Sequence, residues 1–109
     1  MNTRKYSSRQ EKYVAKQLGG RVQPNSGATP FLKGDITIGN DWLVECKTQM
    51  TSKKSITIQR DWLDKLEEER FAMRKTNKVL AFNFGPDEPV YYVLDEKTFK
   101  QMIRRDENE

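Results

Sequence analysis

Apolar residues recur with two periods along the chain, and together they sketch a complete α/β unit. From Ser8 to Leu18 the spacing is helical. Val14, Ala15 and Leu18 fall within about 60° of Glu11 on a helical wheel, so Glu11 lies inside the apolar arc, with Arg9, Lys12 and Lys16 as a basic stripe beside it. Ser8-x-x-Glu11 has the form of a capping box and Gly19-Gly20 that of a stop, which predicts a helix over 8–18. Glu11 therefore has two readings, a helix cap or an inward carboxylate. Alternation takes over at Ile36-Thr37-Ile38 and at Trp42 to Lys47, separated by Gly39-Asn40-Asp41, and predicts a hairpin. A short strand at 21–23 precedes it, followed by turn chemistry in Gln23-Pro24-Asn25-Ser26-Gly27-Ala28 and a break at Thr29-Pro30. Ile56 and Ile58 lead into a helix over 60–75, with Leu63, Leu66, Arg70 and Met73 on one row and Trp62 and Leu66 on another. Strands are predicted over 78–84 and 90–94, joined by Gly85-Pro86-Asp87-Glu88-Pro89. A last helix starts at Asp95 and carries Phe99, Met102 and Ile103, with a fraying charged tail at 105–109. Helices packed on a mixed central sheet are the expected architecture.

The hairpin concentrates the chemistry. A three-residue loop pairs position 38 with 42 and hence 35 with 45, which sets Asp35 opposite Glu45; a two-residue loop would send them to opposite faces. Opposed carboxylates about 5 Å apart repel unless something offsets them. A divalent cation does so, and Mg²⁺ suits one or two carboxylates completed by water and phosphate oxygens. Lys47 stands one pleat beyond Glu45 on the same face, ready to set a positive charge beside a phosphate.

Charge and composition sharpen this. The 109 residues suit a single domain spanning 1–109, with a modest core at 35% hydrophobic and 33% charged residues. Residues 1–60 hold 11 Lys and Arg against 4 Asp and Glu, a net of +7, whereas residues 61–109 hold 9 against 12, a net of −3. An acidic pair within a basic half points to a polyanionic substrate, nucleic acid above all. On charge, Arg9, Lys12, Lys16, Lys33, Lys53, Lys54 and Arg60 are the candidate phosphate contacts, joined by Asn25 and Ser26 of the turn. The absence of histidine excludes Ser-His-Asp, Cys-His and histidine-base chemistry, and with one cysteine no Cys/His zinc site forms within a chain. Cys46 reads as a small buried hydrophobe. Glu67-Glu68-Glu69 reads as lying on or beside a solvated face, and Phe82, Phe84, Tyr91 and Tyr92 as core or dimer interface. Neither a signal-like apolar run nor a stretch of about 20 apolar residues is present, so a cytoplasmic protein with no membrane partner is expected.

Glu11, the Asn25-Ser26-Gly27 turn, Gly34-Asp35 and Glu45-Cys46-Lys47 together resemble the PD-(D/E)XK nuclease superfamily, and within it the Holliday junction resolvases of archaeal and phage type. The resemblance spans roughly residues 8–84, with Gly34 where that pattern often has proline. It implies a restriction-endonuclease-like fold and a Mg²⁺-dependent homodimer, Mn²⁺ substituting, that cuts four-way DNA junctions. Asp35 and Glu45 are then metal ligands, Lys47 the catalytic lysine, and Glu11 a further acidic group acting directly or through water. Ser26 and Gln49 correspond to polar positions of such enzymes, Gln49 provided the strand continues that far. The Cys46 carbonyl is the expected third metal contact. A protonated lysine is a poor base, so Lys47 is assigned electrostatic stabilisation. A nuclease of the same superfamily acting on other DNA, and a DNA-binding module without catalysis, are the alternatives.

Overall fold

A computed structural model of the protein describes residues 3–23 and 35–108. Asn25, Ser26 and Lys33 lie outside the described residues. The elements run α1 (Thr3–Leu18), β1 (Arg21–Val22), β2 (Ile36–Ile38), β3 (Trp42–Lys47), α2 (Arg60–Ala72), β4 (Asn77–Phe82), β5 (Tyr91–Val93) and α3 (Glu96–Asn108). The five strands form one mixed sheet in the order β1-β2-β3-β4-β5. β3 and β4 are parallel and the other neighbours antiparallel. A parallel pair needs a crossover connection, here the segment containing α2.

Strand alternation divides the core between the two faces. Ile36, Val44, Cys46, Val79 and Ala81 bury against Val14 and Ala15 of α1. Leu43 and Leu80 bury against Leu66 of α2, with Trp62, Leu63 and Met73 packed around them. Both apolar rows expected of α2 are thus used. Glu45 and Lys47 share the α2 face with Leu43, while Cys46 points to α1 and is buried as expected of it.

The first helix starts earlier than the sequence signal suggests. It begins at Thr3, so Ser8 lies within the helix and the apparent capping box caps nothing. No Gly or Pro precedes Gly19, and nothing in residues 3–7 stops the helical ladder from extending backwards. The C-terminal end is as expected: Gly19 adopts φ +68° and the Gly20 amide donates to the Ala15 carbonyl at 2.8 Å. Gly20 also lets α1 close on the sheet, since a Cβ there would sit 2.8 Å from the Thr37 carbonyl oxygen.

Glu67 is bound by Arg70 at 2.6 Å and by Lys78 at 2.6 Å, and Lys78 reaches Asp95 at 3.3 Å, which ties α2 to β4 and to the start of α3. Asp95 caps α3 by accepting from the Thr98 amide at 2.8 Å. The helix then runs through Asn108. Phe99, Met102 and Ile103 remain exposed on it. Phe82, Phe84 and Tyr91 pack ring against ring at centroid distances of 5.7–5.8 Å. No described helix is long and apolar enough to cross a membrane.

Gly20→Ala should destabilise the fold by about 1–3 kcal/mol, because the added methyl meets backbone that cannot swing aside. Urea unfolding of the two proteins measures this.

Candidate functional site

The hairpin register is the one the three-residue loop requires: Ile36 pairs with Val44, Thr37 with Leu43 and Ile38 with Trp42, with Gly39 at φ +56° in the loop. One step further, Asp35 comes opposite Glu45. Asp35 Oδ2 accepts the Cys46 amide at 2.8 Å, so a side chain takes the backbone donor just past the end of β2. The N–H and C=O of an extended residue leave on the same side, which directs the Cys46 carbonyl to the Asp35 edge as well.

Three acidic groups gather here at an electrostatic cost. Burial raises the Glu45 pKa to about 9, reinforced by the Asp35 charge, a hydrogen bond shared with Asp35, and the nearby Glu69 charge. Asp35 is also raised by burial, opposed by the Cys46 amide, the Glu45 hydrogen bond, Lys47 and Lys65. Glu11 is raised to about 7 by burial and by Asp35. Mid-helix Glu11 is therefore the inward carboxylate rather than a cap. The Lys47 ammonium lies 4.7 Å from the centroid of the Trp62 ring and acts electrostatically on both Asp35 and Glu45.

α2 supplies a second wall that the sequence reading passed over. Trp62, Lys65, Leu66 and Glu69 occupy i, i+3, i+4 and i+7, one helical stripe. Trp62 holds Lys47, Lys65 acts on Asp35, and Glu69 acts on Glu45. Glu69, read as lying on or beside the solvated face, is 8% exposed, because the helical phase that buries Leu66 carries residue 69 inward. Glu67 is half-buried in its ion pairs, and Glu68 is exposed. The signal was present in the seven-residue spacing from Trp62, hidden by the run of three glutamates.

Other predicted positions fall less tightly. β3 ends at Lys47, so no further pleat carries Gln49 onto the Glu45–Lys47 face. Lys12, Lys16, Lys53, Lys54 and Arg60 are exposed. Arg9 pairs with Asp87 at 2.9 Å and lies 5.0 Å from the Tyr6 ring centroid. Arg60 stands 3.8 Å from Asp64.

The donor set suits a hard cation: two opposed carboxylates that resist ionising together, a carbonyl at the same edge, and Glu11 within electrostatic reach of Asp35. Among the described residues no three or more Cys, Asp and Glu side chains form one metal-holding group. Such an ion would rest on the pair and complete its shell with water, the usual habit of Mg²⁺. Comparison of the chain with known protein families, with curated proteins and with solved structures found no match.

The raised acids fix a pH dependence. A carboxyl whose folded pKa exceeds its unfolded value favours folding at pH values below the unfolded value, and that contribution is lost as pH rises through the folded pKa. Metal-free protein should therefore lose stability from pH 5 to pH 9, through about 7 for Glu11 and about 9 for Glu45. Glu45→Gln, which removes the larger source of this loss, should raise the melting temperature at pH 9 and leave it nearly unchanged at pH 5. Thermal unfolding in EDTA at the two pH values checks both expectations.

Proposed function

We propose that this chain is a metal-dependent endonuclease of branched DNA, a PD-(D/E)XK enzyme of Holliday junction resolvase type acting as a homodimer in the cytoplasm of a prokaryotic or phage-infected cell. The observation that carries the reading is the hairpin register: it opposes Asp35 and Glu45 at the end of β2 and sets Lys47 one pleat beyond on the same face. The order helix, strand, hairpin, helix, strand supports it, as does Glu11 on the first helix beside Asp35. The net charge of +7 over residues 1–60 suits a DNA substrate.

Asp35, Glu45 and the Cys46 carbonyl would hold Mg²⁺, with Glu11 a further acidic group beside Asp35. Bound there, the ion would polarise a phosphate oxygen and lower the pKa of a water. The chain's own part is positional and electrostatic. Asp35 is fixed by the Cys46 amide, so the carboxyl that shares a hydrogen bond with Glu45 keeps its alignment when the shared proton leaves. Lys47 rests on Trp62, which restrains a long side chain while leaving its charge available to the negative charge growing on the phosphate. Lys12, Lys16, Lys53 and Lys54 contact flanking phosphates, and binding weakens steeply with salt. Two sites related by a dimer axis match the two-fold symmetry of a junction.

An end-labelled four-way junction and a linear duplex of the same arm sequence, each in Mg²⁺ and in EDTA, test the reading. Paired symmetric cuts in the junction alone, dependent on metal, are the expected result. Cutting of both substrates keeps the nuclease and removes the junction specificity; no cutting of either favours a non-catalytic DNA-binding module. Lys47→Ala should abolish cleavage and retain junction binding, measured by gel shift in Ca²⁺, whereas joint loss of binding and folding would make Lys47 structural.

A further inference from the structure

The face of the sheet that carries Glu45 and Lys47 continues beyond them as a row of rings. Lys47 pairs with Phe82 of β4, and Phe82 with Tyr91 of β5. The three side chains therefore stand abreast on the α2 face, which Leu80 and Val93 share two residues away on each strand. Phe82 and Tyr91 stack with centroids 5.8 Å apart and planes inclined by 26°, and Phe84 meets both edge-on at 5.7 Å. Two rings thus fix Tyr91 from behind, yet it is 51% exposed.

The turn joining β4 to β5 carries Asp87 and Glu88, which by themselves would repel a polyanion. Packing changes this. Asp87 is taken by Arg9 at 2.9 Å, and Glu88 accepts the Ser52 hydroxyl at 2.9 Å. The Lys53 amide donates to the Phe84 carbonyl at 2.7 Å, so the loop after β3 is fastened against the ring cluster. Gly85 permits this approach, because a Cβ there would lie 2.9 Å from Ser52 Cα. Lys53 and Lys54 arrive beside the rings with exposed side chains, and among the described residues neither enters an ion pair. Aromatic surface interleaved with lysines is the combination that holds single-stranded nucleic acid, the bases stacking on rings while the cations take phosphates. Neighbouring strands lie about 4.8 Å apart, so Tyr91 stands roughly 10 Å across the sheet from Lys47, close to the rise of three stacked nucleotides at about 3.4 Å each.

We propose that Tyr91, backed by Phe82 and Phe84, is a stacking platform for an unpaired base of the DNA strand whose phosphates meet Lys47, Lys53 and Lys54. The proposal rests on the nuclease reading for the identity of the polyanion and deepens it to an unpaired stretch of strand. Every base has a ring face, so the platform selects unpaired strand over duplex without choosing a sequence.

The test is fluorescence anisotropy of a labelled single-stranded oligonucleotide in Ca²⁺, beside an abasic oligonucleotide of the same length, whose phosphates are unchanged. Tighter binding of the base-bearing strand is expected, weakened roughly 5- to 100-fold by Tyr91→Ala, the weight of one base–aromatic stack, and restored by Tyr91→Phe. The abasic strand should be indifferent to Tyr91→Ala, whereas Lys53→Ala should weaken both strands alike. Equal affinity for the two strands, or binding of neither, overturns the proposal. So does a Tyr91→Ala protein that falls from dimer to monomer in sedimentation while keeping its preference for the base-bearing strand, since Tyr91 is then a subunit contact. The measurement reads no cleavage, so the two readings fail separately. A base preference that Tyr91→Ala removes, with an uncut junction, discards the nuclease alone; a cut junction with equal affinity for the two strands discards the platform alone.

Discussion

The hydrogen bond from the Cys46 amide to Asp35 is the contact on which the site depends. β2 is only three residues long, and at its end the carboxylate of Asp35 takes over from the sheet ladder. That substitution anchors a buried acid by a backbone donor which cannot rotate away, and it aims the acid across the hairpin at Glu45. The remaining groups are arranged around this pair: α1 brings Glu11 from one side, and α2 brings Lys65 and Glu69 from the other. Trp62 then limits where Lys47 can go.

Such an arrangement works against the stability of the fold. Buried carboxyls with raised pKa values are held in a place where they would rather be neutral. The two apolar clusters, Val14 to Ala81 against α1 and Leu43, Leu66 and Leu80 against α2, supply the rigidity that keeps them there. Strain of this kind concentrates where a protein binds or reacts, because the relief of repulsion is released when a cation or substrate arrives.

Local rules made the hairpin legible. Gly39-Asn40-Asp41 allows the positive φ at Gly39, and with that loop length the alternation of Ile36, Ile38, Leu43 and Cys46 fixes which face each carboxylate takes. Both apolar rows of α2 and the Gly19-Gly20 stop were legible for the same reason. The start of α1 was not, since Ser8 carries a capping signal that an uninterrupted helix from Thr3 overrides. Glu69 was masked by its acidic neighbours although its phase was correct. The bond between Thr48 and Gln10 joins positions with no pattern between them, and only the packing of α1 on the sheet reveals it.

The parallel pairing of β3 with β4 has a kinetic consequence. Trp42 pairs with Asn77 and Lys47 with Phe82, so every rung of this ladder joins residues about 35 positions apart. Contacts of that span pay loop-closure entropy before any return, and chains rich in them fold slowly. The hairpin can close early from its own turn, whereas the α2 wall reaches Asp35 and Glu45 only when the crossover docks. By contact span, the acidic pair of the hairpin can thus form before Trp62 reaches Lys47.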